Sequence, residues 1–287
     1  MDDRQRLIVA RRIALAADRQ VRWLDGEHKP EHTRNGPKYC GNVSHRDLEF
    51  NNIPGLEELP DTVPKVVFGS VMVVDTPLTT LKNLPSKIIP KVLLHYVNPD
   101  DNNFSSAHTY SSLSIAGTNI RDLTELPGNH TGKMRIQDIN LSRNRRLTSL
   151  AGIPKETLTL QLHGCERLTS LEHVPSHILE LDISGSGITD ATQISSRDNV
   201  RQLFTLWIES FTKFTGIVSL LSMPNLSTIN FRNDVDGPMA VASELDAHIL
   251  KNLHSLRHAV ATSQMNLREA QLRFSRVLIG AGAASLI

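Results

Sequence analysis

The chain has 287 residues, 39% of them hydrophobic but only 5% aromatic, so Leu, Ile and Val must supply most of the core. That composition suits thin, repetitive layers and disfavours a core built around large rings. Thirty-one Lys and Arg against 30 Asp and Glu leave a formal charge of +1, which excludes a general field drawing in phosphate backbones or anionic lipid.

From the start of the chain, residues 3–24 carry an amphipathic helical pattern, with Leu7, Ile8, Ile13, Ala16 and Leu24 among the apolar positions. Six arginines, Arg4, Arg6, Arg11, Arg12, Arg19 and Arg22, occupy others. With Asp2, Asp3 and Asp18 interspersed, the segment reads first as a cap with a solvated basic face, and second as a basic arm for nucleic acid or membrane. It has no uninterrupted apolar core and does not read as a secretory signal. No apolar run reaches the roughly 18–20 residues needed to span a bilayer. A connector with Gly26, Pro30, Gly36 and Pro37 follows, and it holds His28, His32, Cys40 and His45 at spacings that match no zinc module. No metal or cofactor is expected. Two cysteines, Cys40 and Cys165, cannot form a disulfide framework and suit a reducing compartment, so the expected location is cytoplasmic.

From about residue 46 the chain repeats itself. Leu160-x-Leu162-x-x-Cys165-x-x-Leu168-x-x-Leu171-x-x-Val174-Pro175 matches Ile139-x-Leu141-x-x-Asn144-x-x-Leu147-x-x-Leu150-x-x-Ile153-Pro154 position for position. Leu181-x-Ile183-x-x-Ser186 opens the next unit, and the three starts are 21 residues apart. Weaker copies begin at Leu48, within the valine-rich stretch Val66–Val74, at Leu113, at Leu206 and at Ile229, and another strand is expected within Val92–Val97. Residues 98–112 look like an insertion. Two apolar residues at spacing two make a short strand with both side chains turned inward. The sixth position, filled by Thr118, Asn144, Cys165 and Ser186, falls where a small polar group satisfies turn backbone. No layer buries its own faces, so stability comes from stacked neighbours.

This frame resembles the leucine-rich-repeat family. The apolar-Pro pairs Leu59-Pro60, Leu84-Pro85, Leu126-Pro127, Ile153-Pro154 and Val174-Pro175 are similar to those of short-repeat bacterial members, including effectors. The resemblance implies an α/β solenoid of about eight turns with a parallel sheet. It also implies three parts: an N-terminal cap over 1–45, the solenoid over 46–234, and a helical region over 235–287. The ubiquitin-ligase domain of some bacterial members would not fit in the remaining length.

Beyond Pro238, helical periodicity runs to about Ile279, with a seam of Ile249, Leu253, Leu256, Val260, Ser263, Leu267, Ala270, Phe274 and Val277. It predicts either a hairpin breaking near residues 261–263 and packed on the solenoid, the favoured reading, or a helix pairing with a second copy or a partner helix. The tail from Gly280 to Ile287 is expected to be flexible.

No catalytic motif emerges. His163 and Cys165 are close in sequence, but strand alternation sends His163 to the concave surface and turns Cys165 inward, so an enzyme is not expected. The outward strand positions define the expected partner-binding face: Asn140, Arg143, Gln161, His163, Asp182, Ser184, Trp207, Glu209, Asn230 and Arg232. Mixed charge with one large aromatic suits a protein partner better than phosphate, and Trp207 is the residue expected to carry most of the affinity. The expected function is a non-enzymatic scaffold or adaptor (bacterial, effector-like or viral) acting on a host-cell protein. The alternatives are nucleic-acid association through the arginine-rich first helix and self-assembly through the C-terminal helix.

Overall fold

The computed structural model describes residues 43–44, 47–59, 61, 63–89, 112–127, 136–195, 202–232 and 242–287. The helix expected over 3–24, the segment with His28, His32, Cys40 and His45, the strand expected in Val92–Val97 and nearly all of 98–112 lie outside the described residues. The described chain forms a parallel β-solenoid of about six turns with few helices, divided between two compact units, Met1–Asn140 and Leu141–Ile287.

In the first unit the strands β1 (Val43–Ser44), β2 (Leu48–Asn51), β3 (Val66–Phe68), β4 (Val71–Val74), β5 (Lys87–Ile89), β6 (Ser112–Ala116) and β7 (Asp138–Asn140) fall into two parallel sets. One runs β2-β4-β6-β7, with Leu48, Val71 and Leu113 in one register row. The other is β1-β3-β5. The valine-rich stretch is therefore two strands, split at Gly69, which has a φ of 137°. Two consequences separate the structure from the sequence reading. A second small sheet exists, and β4 pairs directly with β6, so the chain between them adds no strand to that row.

Leu48, Phe50, Leu56 and Leu59 in the first of these turns, and Leu113, Ile115, Leu123 and Leu126 in a later one, are buried. In six turns the residue five places in, just after the strand, adopts the left-handed conformation: Asn52, Asp75 and Gly117 here, and Arg143, Gly164 and Gly185 in the second unit. That twist lets its N–H extend the ladder, as Asn52 N–H donates to the Val74 carbonyl and Asp75 N–H to that of Ala116. Gly and Asn tolerate this conformation best. At Gly117 a Cβ would also sit 2.3 Å from an Asp75 carboxylate oxygen, so only glycine fits as the side chains stand.

The second unit contains β8 (Thr159–Gln161), β9 (Glu180–Asp182), β10 (Thr205–Ile208) and β11 (Thr228–Phe231), parallel and adjacent in chain order. Leu160 aligns with Leu181, then Leu206, then Ile229. The sixth-position residues behave as expected: Asn144 and Cys165 are buried, and Ser186 donates its hydroxyl to the Ile183 carbonyl. At Leu206 the pattern changes. Phe211 fills the sixth position and meets Phe231 edge-on at 5.5 Å.

Two helices, α1 (Glu244–Ala261) and α2 (Leu267–Gly280), follow β11 in this unit. The break falls where sequence placed it, with Ser263 left-handed in the turn. Each start is capped, Ser243 accepting from Asp246 N–H and Asn266 from Glu269 N–H. Both helices pack against the 3-10 segment Ile217–Ser222. The buried seam is Ile249, Leu253, Ala270, Phe274 and Leu278, so Leu278 takes the place assigned to Val277. The turn resets the helical phase, and the residue that continues the Ala270–Phe274 stripe is four further on. The tail is not loose: Ala284–Leu286 form a 3-10 turn with Leu286 buried. No helix of the described residues is long and apolar enough to cross a membrane.

Candidate functional site

Strand alternation presents Gln161, Asp182, Trp207 and Asn230 in one row of the second unit, paired backbone to backbone from β8 to β11. Gln161, Trp207, Glu209 and Asn230 are half-buried, as open-face residues should be. Asp182, His163 and Ser184 are not. All three are buried, which corrects the expectation that they lie on an accessible surface.

Their burial follows from mutual hydrogen bonding, without which three polar side chains could not be held out of water. Asp182 accepts from the Ser184 N–H at 3.0 Å and from the Ser184 hydroxyl through the same oxygen. Its other oxygen takes the Arg232 guanidinium at 2.7 Å. Ser184 Oγ lies 2.8 Å from His163 Nδ1. A hydroxyl has one proton, and here it goes to the carboxylate. The imidazole must therefore donate from Nδ1. The order is Asp–Ser–His, with serine in the middle, whereas a hydrolytic triad needs histidine between carboxylate and nucleophile. Ser184 is buried and hydrogen-bonded on both sides, so this cluster holds strands together.

Arg232 reaches Asp182 by lying across Trp207, its guanidinium carbon 5.0 Å from the ring centroid. The indole N–H donates to Glu180 at 2.9 Å. Trp207 is thus clamped: a cation covers one side and a carboxylate holds its polar edge. Glu209 pairs with Lys213 on the same edge of the unit. Arg143 sits at the left-handed position after Leu141, where glycine occupies the two following turns, and its N–H donates to the His163 carbonyl. Asn140 ends β7 and belongs to the first unit, where Ser114 is its register partner. The ten expected residues therefore separate into a clamped aromatic with its neighbours, a buried polar cluster, and two outliers.

Cys165 donates its thiol to the Leu141 carbonyl at 3.1 Å, and burial pushes its pKa up to about 12. Such a thiol is a small core group, not a nucleophile. Among the described residues no group of three or more His, Cys, Asp or Glu is placed to hold a metal ion.

One feature escaped the sequence reading. Just before β9 and β10, Leu179 and Phe204 are 42% and 54% exposed, and they are adjacent, Phe204 N–H donating to the Leu179 carbonyl. Leu158, one turn earlier, continues the row through its carbonyl. The signal was available: all three stand two residues before a repeat's first apolar position. No protein-family model matches the chain, and comparison with curated proteins finds no match.

Proposed function

We propose that the chain is a non-enzymatic scaffold or adaptor of the leucine-rich-repeat type, docking a protein partner on the concave strand face around Trp207 and Arg232. One observation carries the reading. A Trp is fixed in one orientation on an open strand face by Arg232 above and Glu180 at its edge. Preorganised Trp and Arg side chains are the groups that concentrate binding energy at protein interfaces, because little rotamer entropy remains to be lost. The exposed Leu179 and Phe204 extend the apolar contact that such a partner needs. Arg232 is already paired with Asp182, which leaves the face little free positive charge for a phosphate backbone.

On this reading the full chain makes about eight turns, the C-terminal helices cap the last of them, and the protein works inside a cell, its own or a host's. The test is affinity capture from the source cell's extract, with wild type beside Trp207→Ala and Phe204→Ser. Loss of the same captured protein by both variants at unchanged thermal stability supports the proposal. Equal capture by all three forms moves the interface off this face. Nucleic acid as the captured species, released by salt, replaces the protein-scaffold reading.

A further inference from the structure

The second unit has a cleft of about 410 Å³ between residues 221–227 and the α1–α2 turn. Its volume lies within the roughly 300–1,000 Å³ typical of small-molecule sites. The walls are mostly apolar, including Leu221, Met223, Leu226, Val260 and Leu267. Among the described residues no Asp or Glu lines it, and Arg257 is the one fixed charge. His254 and His258 stand exposed at its rim.

Arg257 is half-buried, and its pairing is incomplete. One guanidinium nitrogen donates to the Met223 carbonyl at 2.6 Å; among the described residues it meets no other hydrogen-bond acceptor and no carboxylate. A guanidinium has five N–H donors in a planar fork shaped for a carboxylate. Burial without a counter-charge also lowers its pKa, a cost that an anion in the cleft would relieve.

We propose that this cleft is a binding site for a small organic monocarboxylate with an apolar body, its head group on Arg257 and its chain along the Met223–Val260 walls. A single fixed positive charge selects a monoanion, since a phosphate dianion would enter with half its charge uncompensated. The apolar lining selects a ligand with hydrocarbon to bury over a bare anion such as acetate.

The test is calorimetric titration of the full-length protein with octanoate, 1-octanol and acetate. Octanoate is expected to bind at one site per chain, and both octanol and acetate at least tenfold more weakly. Arg257→Gln should weaken octanoate binding about tenfold or more, the loss of one charged hydrogen-bonding partner. Because Arg257 also holds the Met223 carbonyl, a second variant, Val260→Trp, fills the cleft without touching the charge and should abolish binding. Octanoate binding at wild-type strength in either variant overturns the site. Octanol binding as tightly as octanoate overturns the anionic selectivity, and no octanoate binding by the wild type overturns the proposal outright.

Discussion

Replacing Arg232 with Met removes the guanidinium from Asp182 and keeps an unbranched chain over Trp207. Asp182 is left with a buried carboxylate whose second oxygen has lost its 2.7 Å partner, while Ser184 still serves the first. Breaking a buried ion pair from one side costs about 3–5 kcal/mol. The Asp182 side chain is 3% exposed but that of Arg232 is 29%, so water reaches part of the gap and the expected cost falls to about 2–3 kcal/mol. Asp182→Asn in the same background removes the stranded charge and should return roughly half of that loss. Urea unfolding of the wild type, both single variants and the double variant closes the cycle, with an expected coupling above about 1 kcal/mol. A loss for Arg232→Met within about 0.5 kcal/mol, the range of ordinary surface changes, would falsify the view that this pair organises the strand face.

Four further outcomes follow from the geometry. Gly187→Ala should destabilise by about 1–3 kcal/mol in the same unfolding assay, because its Cβ would sit 2.5 Å from the Glu166 carbonyl oxygen and 2.9 Å from that of Leu168; an unchanged midpoint refutes the close packing of these turns. Asp246→Ala should cost about 2–4 kcal/mol, since the buried carboxylate accepts from Phe211 N–H, Ser210 and Ser243 and ties α1 to the turn after β10. Cys165 should resist iodoacetamide at pH 8 in the folded protein and react in urea, as followed by peptide mass spectrometry; rapid native labelling contradicts its burial. Partial burial, then the nearby Arg257, holds the His254 imidazole below its ordinary value, so the unfolded chain binds that proton more readily. Stability should therefore drop as pH falls through about 6.5 and below, and His254→Gln should flatten that part of the profile.

How much of this was legible beforehand depends on the range of the interaction. The inward positions were, because a strand's two-residue alternation and a 21-residue repeat are local regularities that no tertiary contact alters: Leu160, Leu162, Leu168 and Leu171 are all buried as read. So was the helical break at residues 261–263, where the apolar stripe fails. The split of Val66–Val74 was not, since every residue but Phe68, Gly69 and Ser70 is Val or Met and the division rests on which neighbour each half pairs with.

The candidate site shows the same boundary. Alternation put Asp182 and Trp207 in one outward row, and β9 and β10 pair them backbone to backbone. It could not show that Arg232, 50 residues away in sequence, would cross Trp207 to reach Asp182, or that His163 and Ser184 would be buried beneath the same network. Nor could it place Arg257 in a cleft, because the facing wall of that cleft comes from residues 221–227, outside its own helix. Which residues face inward follows from periodicity, which each repeat carries on its own. The tertiary structure alone decided which outward residues meet water and which meet each other, because side chains from different turns share that surface and their pairing depends on distances no single repeat contains.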